Sequence, residues 1–115
     1  MVADPALPPP QPRGVSAKYD KVAHVVTVSW KSVKVEDLAG YAIYCLEDLF
    51  STPERMNPNK LLVDTVFKDS LLKDTSACGR NPGSIPDTLL YQVKAQDWNG
   101  NLSPQYSDPA KVTTR

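Results

Sequence analysis

The residues with the most chemical promise are gathered in one stretch, 97–108, which reads Asp-Trp-Asn-Gly-Asn-Leu-Ser-Pro-Gln-Tyr-Ser-Asp. Asp97, Asn99 and Asn101 occupy positions 1, 3 and 5 of a calcium-loop spacing, with Asp108 at position 12. Oxygen-bearing side chains at that spacing can converge on a hard cation. The match is incomplete: glycine stands at position 4 rather than 6, the twelfth residue is Asp rather than Glu, and the flanks read as strands. The same residues have a simpler use. Asn99 followed by Gly100 supplies the positive φ of a tight hairpin turn, and a carboxylate at position 97 accepts the turn's N–H groups. Trp98 stands at the tip. An exposed indole there would stack on a sugar ring or anchor a protein partner, with Asn99, Asn101 and Tyr106 as its neighbours in a candidate binding group. The simpler expectation is that Trp98 folds back over the hairpin or onto the proline-rich N-terminal arm.

Other reactive constellations are thin. His24 is the sole histidine, at the start of an apolar alternating run and with no Gly-x-Ser-x-Gly turn in the chain. A nucleophile–base–acid arrangement around it cannot be placed, and it reads as a hydrogen-bonded or solvent-facing histidine. One histidine and two distant cysteines, Cys45 and Cys78, fall short of a zinc site. No phosphate-binding glycine loop, Cys-x-x-Cys, basic stripe or Arg-Gly-Asp occurs. Asn101-Leu-Ser103 is a glycosylation triplet, but Pro104 follows it. The expectation is a chain with no catalytic residues, no bound metal and no cofactor.

These residues sit on a scaffold of ordinary composition. The chain has 115 residues, enough for one domain and too few for two. Thirteen basic and thirteen acidic residues cancel, so no electrostatic footprint for nucleic acid or an anionic membrane is visible. No apolar run approaches the ~20 residues of a membrane helix. The N-terminus shows neither a basic segment nor an apolar one, so either the protein is cytosolic or an export signal lies outside this sequence. Five of the eleven prolines fall in the first twelve residues. Proline lacks an N–H and fixes φ, so residues 4–12 favour an extended polyproline conformation, and residues 1–11 read as a linker.

Beyond the arm the pattern is short strands separated by turn signals. Residues 14–19 alternate, with Val15, Ala17 and Tyr19 on one face. Residues 24–30 are the clearest strand, with His24, Val26, Val28 and Trp30 on one side. Residues 40–46 place Tyr41, Ile43 and Cys45 together. Residues 49–56 offer a helical turn, since Ser51-Thr-Pro-Glu supplies an N-cap with proline at the first helical position. Residues 61–67 and 68–75 read as two short strands joined by a turn, and 77–87 as a loop rich in Gly and Pro. Residues 89–95 and 106–114 are the last strands. About seven strands with almost no helical periodicity predict an all-β sandwich of two antiparallel sheets. The expected core is Val26, Val28, Trp30, Tyr41, Ile43, Tyr91, Val93 and Ala95.

Over residues 10–115 the sequence resembles a fibronectin type III domain. The resemblance rests on the proline-rich lead-in Pro10-Gln-Pro12, the tryptophan closing Val26-Thr-Val-Ser-Trp30, Gly40-Tyr-Ala-Ile-Tyr44, and the run from Tyr91 to Ser103, with Ile85 six residues before Tyr91. The Ala-x-Asp-x-x-Gly-Asn-x-Ser run is similar to bacterial copies more than to animal ones. The resemblance implies an immunoglobulin-like sandwich in which the Tyr91 hydroxyl bonds back to the backbone of the preceding loop, over Ile85. It further implies that residue 45 and the loop before the sixth strand share a pole, so Cys45 and Cys78 could form a disulfide. Two loops, 47–59 and 76–87, are longer than the family pattern, and private functions concentrate in such loops. As function it implies a non-catalytic extracellular, periplasmic or cell-surface module, acting as spacer or interaction domain beside neighbouring domains of a secreted parent protein. A carbohydrate- or receptor-binding module working through Trp98 and loop aromatics is the alternative. The implied partners are those domains, a protein or a polysaccharide, with no nucleic acid and no membrane insertion.

Overall fold

The computed structural model describes residues 8–46, 49–50, 52–57, 60–71 and 87–114. Seven strands occur among them: β1 (Ser16–Asp20), β2 (Val25–Ser29), β3 (Leu38–Leu46), β4 (Glu54–Arg55), β5 (Val66–Ser70), β6 (Thr88–Asp97) and β7 (Ala110–Thr113). They form two sheets, ordered β1-β2-β5 and β4-β3-β6-β7, with every pairing antiparallel. The chain is an all-β sandwich, as its alternating pattern predicts.

Alternation decides which side chains go inside. Along β2, Val26 and Val28 are fully buried, and Trp30 follows at 5% exposure. From the other sheet Tyr41, Ile43 and Cys45 of β3 and Leu89, Tyr91, Val93 and Ala95 of β6 meet them. The Trp30 and Tyr41 rings pack edge to face, 5.3 Å between centroids, a favoured aromatic geometry. All eight expected core residues belong to this cluster, and Val33, Leu71, Leu89 and Val112 join them.

The turn between β1 and β2 shows local chemistry fixing a register. Asp20 Oδ1 accepts the N–H groups of Val22 and Ala23 at 2.9 and 3.2 Å, the short-range competition that makes Asp a turn residue. His24 then takes φ 57°, an uncommon conformation for a non-glycine residue. Its Nδ1 lies 2.9 Å from the Tyr19 hydroxyl, and its carbonyl accepts Leu71 N–H at 3.0 Å. The histidine closes a hairpin.

The middle of the chain corrects the expected elements. Residues 61–67 and 68–75 are not a pair of strands: one strand, β5, spans Val66–Ser70, and residues 72–75 lie outside the described residues. Leu62 makes a single bridge to Tyr41, through N–H···O bonds of 2.8 and 3.0 Å. Three residues later Thr65 accepts the Trp30 N–H. The segment therefore leaves the edge of one sheet and joins the other, which alternation alone does not reveal. Where it crosses, a Cβ on Gly40 would stand 2.6 Å from the Leu62 carbonyl oxygen, so the close approach requires glycine. Nor do residues 52–56 form a helical turn. Glu54 and Arg55 pair with Cys45 and Tyr44 as a short edge strand, and the Asn57 amide continues the ladder. Its Oδ1 accepts Ile43 N–H at 2.9 Å and its Nδ2 donates to the Tyr41 and Lys60 carbonyls at 3.0 Å each.

At the N-terminus, Pro9 and Pro12 are buried. Arg13 accepts the Lys31 N–H at 2.9 Å. No helix of the described residues is long and apolar enough to cross a membrane.

Candidate functional site

The β6–β7 connection holds most of the candidate residues, and its geometry is that of a turn built around one carboxyl group. Asp97 Oδ1 accepts the N–H groups of Asn99 and Asn101 at 3.0 and 2.8 Å, and Oδ2 accepts Asn101 Nδ2 at 3.1 Å. Its backbone pairs with Asn101 and Gly100, and Gly100 has φ 87°, where a Cβ would be strained. Asp97 is 1% exposed. Burial alone would raise its pKa; the Asn101 and Asn99 donors outweigh this and hold it below the ordinary carboxylate value. Ser107 N–H bonds to Val93, so Asp108 begins about four residues, roughly 13 Å of strand, away from Asp97. The calcium-like spacing is thus not gathered into one oxygen cage. Among the described residues no group of three or more His, Cys, Asp or Glu side chains is placed to hold a metal ion.

Because the folded-state pKa of Asp97 is depressed, its contribution to stability is complete above the ordinary carboxylate pKa and is lost as pH falls through the folded value. Comparing wild type with Asp97→Asn, the difference in Tm is therefore expected to be large near neutrality and to shrink progressively in acid. A difference constant with pH would show that the carboxylate charge does not hold the turn.

Downstream of the turn two buried serines do what a regular strand's backbone would do. Ser103 Oγ accepts the Ala95 N–H at 2.9 Å and lies 3.0 Å from the Pro10 carbonyl. Ser107 Oγ accepts the Val93 N–H at 2.8 Å. Both are 1% exposed. They hold an irregular stretch, residues 103–107, against β6 and tie the proline arm to it; Gln11 Nε2 adds a bond to the Tyr106 carbonyl at 2.8 Å. Ser103→Ala leaves the Ala95 N–H and the Pro10 carbonyl short of a partner inside the protein. A loss of about 1–3 kcal/mol in denaturant unfolding is expected; an unchanged midpoint would show that water replaces the hydroxyl.

Trp98 does not fold back. Its backbone N–H is anchored to the Asp37 carbonyl at 3.0 Å, while the residue is 77% exposed. Asn99 beside it is exposed and Asn101 half-buried. Tyr106 belongs to a different setting. Its ring packs edge-on against Tyr44 at 4.9 Å and carries Lys94 Nζ 4.1 Å from its centroid. Arg55, opposite Tyr44, completes that group. Burial raises the Tyr44 pKa, Arg55 offsets part of the rise, and Tyr106 adds to it. This second group, on the outer face of the four-stranded sheet, was hidden in the sequence because it joins residues of three strands and a loop.

Tyr91 is fully buried, as the corner role implies, and its hydroxyl donates to Asp69 Oδ2 at 2.6 Å. The partner shown is thus a carboxyl group on β5; Ile85 and the loop around it lie outside the described residues. Cys45 is fully buried at the end of β3. No free cysteine occurs among the described residues, and Cys78 lies outside them.

No family model matches the chain, and no curated protein matches it. Solved structures do. A Fn3-like protein from Clostridium thermocellum superposes with a TM-score of 0.66 and 18% identity over 93% of this chain and 94% of its own. The spore cortex lytic enzyme SleM of Clostridium perfringens gives a TM-score of 0.63 at 18% identity, over 93% of this chain and 29% of the enzyme. The FN1–FN3 domains of chicken CNTN1 give 0.60 at 20% identity, over 94% of this chain and 31% of that one. The chain has a fibronectin type III-like fold, and it spans under a third of the last two proteins' lengths.

Proposed function

We propose that this chain is a non-catalytic module of a larger secreted or surface protein of bacterial origin, working outside the cytoplasm as a spacer or protein-interaction domain. The observation that carries the reading is the use made of the candidate polar residues. Asp97, Ser103 and Ser107 each hold backbone at the β6–β7 connection, and the Asn101 amide donates to the Asp97 carboxylate, which leaves those groups engaged in structure rather than convergent on a substrate. The similarity to one part of longer proteins, among them a lytic enzyme, supports a role beside other domains. Residues 1–11 then act as the connector, docked at its end by the bonds from Ser103 and Gln11.

A Cys45–Cys78 disulfide belongs to this reading. It would close a loop of 34 residues, counting both cysteines, and contribute about 3–4 kcal/mol if loop-closure entropy governs. Oxidising conditions outside the cytoplasm would preserve it.

The test is replacement of residues 12–115, within the parent protein, by a sandwich of equal length and unrelated surface. Retained activity of the parent supports the spacer. Lost activity with intact folding shows that this surface itself is needed. The second reading, a carbohydrate- or receptor-binding module, is favoured by the exposure of Trp98 alone; a shift of its fluorescence on adding polysaccharide would support it.

A further inference from the structure

The outer face of the four-stranded sheet carries a charge pattern that neither the core nor the turn explains. Register places Arg55, Tyr44 and Gln92 side by side, Lys94 opposite Ala42, and Lys111 opposite Leu90. Side chains alternate across a sheet, so these residues point away from the core, which takes Ile43, Cys45, Tyr91 and Val93. The chain as a whole is neutral, yet the described strand residues of this face include three cations and no carboxylate.

The cations are little used by the protein. Lys94 lies over the Tyr106 ring, which fixes the ammonium near the face without neutralising it. Arg55 Nε is enclosed with no hydrogen-bond partner, so the domain leaves part of that guanidinium's bonding capacity unmet. The tyrosines give the cations a rigid floor: Tyr44 is 7% exposed and is locked edge-on by Tyr106. Gln92, in the Tyr44 row, and Gln96, beyond Lys94, are half-buried; Gln92 Nε2 donates to the Ser107 carbonyl at 3.0 Å, and the remaining amide groups suit hydroxyls.

We propose that this face binds a carboxylated polysaccharide, with Arg55, Lys94 and Lys111 pairing sugar carboxylates, and Gln92 and Gln96 meeting hydroxyls. Relative to the Arg55–Tyr44–Gln92 row, Lys94 stands two residues to one side and Lys111, on the far strand, two residues to the other, so the three cations form a triangle with sides of roughly 12–16 Å. A chain carrying carboxylates along its length can meet more than one of them at that spacing. A peptide partner is the poorer match, because peptide recognition relies on apolar anchors in pockets, and the apolar side chains Tyr44, Leu46 and Leu90 of this face are already buried. This site is distinct from Trp98, and it holds whether or not the module also serves as a spacer.

The test is titration of the 115-residue protein with polygalacturonate, with dextran as the neutral and polyglutamate as the peptide counterpart. Polygalacturonate is expected to bind, more weakly as salt rises, and dextran not to bind. Arg55→Gln with Lys94→Gln should weaken binding about tenfold or more while the melting curve stays cooperative. Should that pair of changes unfold the domain, Lys111→Gln, on an exposed position, should still reduce affinity severalfold. Absence of polygalacturonate binding, binding indifferent to Arg55, Lys94 and Lys111, loss only on Trp98→Ala, or tighter binding of polyglutamate would each overturn the proposal.

Discussion

Trp30→Ala is expected to destabilise the domain by about 3–5 kcal/mol, the range for deleting a buried aromatic side chain. Trp30 closes β2 at 5% exposure and packs edge-on against Tyr41, whose own hydroxyl accepts the Val33 N–H at 2.9 Å. Alanine would open a cavity between the two sheets and take away the ring that orients Tyr41. Trp30 Nε1 is buried without a hydrogen-bond partner, so the indole acts here through its apolar surface. Trp30→Phe should accordingly cost clearly less than Trp30→Ala, since it keeps an aromatic ring and removes an unpaired donor. Urea unfolding of the two variants decides the matter. A Trp30→Ala protein as stable as wild type would contradict the packing of the two sheets on this residue.

The second large effect belongs to Tyr91→Phe. The bond from its hydroxyl to Asp69 Oδ2, 2.6 Å long and buried, joins β6 to β5 across the sandwich. Asp69 is 2% exposed, and a polar group enclosed to that degree depends on its donors. Loss of the hydroxyl is expected to cost about 2–3 kcal/mol. A double-mutant cycle with Asp69→Ala separates this bond from general packing: a coupling energy of about 1 kcal/mol or more is expected for residues in direct contact. Additive effects would mean that the tyrosine is held by something other than Asp69.

Much of the sandwich was legible because burial in a sheet has a period of two. Val26, Val28 and Trp30, then Tyr41 and Ile43, then Tyr91, Val93 and Ala95 alternate in sequence as they alternate in space. Residues 61–67 show where that rule gives no help: Leu61, Leu62 and Val63 are followed by Asp64 and Thr65 and then Val66 and Phe67, apolar content without alternation, and the segment crosses between sheets, which composition does not reveal. The two-residue β4 was missed because Glu54 and Arg55 carry no strand propensity; tertiary pairing with β3 imposes it. Of the site, the Asp97 turn was readable, since its bonds are local and use the residue types that turns select. Ser103, Ser107 and Asn57 were not, because their side chains complete ladders with residues distant in sequence. The Tyr44–Tyr106–Lys94 group has the same origin. Its members meet only through the strand order. Trp98 shows the converse limit: an apolar residue at a turn tip was expected to seek cover, and the turn geometry holds it out in solvent.

The polar residues of the β6–β7 turn hold the sandwich, while the tip they support is dispensable for folding. Parallel thermal unfolding of Asp97→Ala and Trp98→Ala at neutral pH separates the two roles. Asp97→Ala, which strips the Asn99 and Asn101 donors of their acceptor, should show a clearly lowered Tm, and Trp98→Ala an unchanged one. An Asp97→Ala protein that melts like wild type, or a Trp98→Ala protein that does not, would contradict this division of roles.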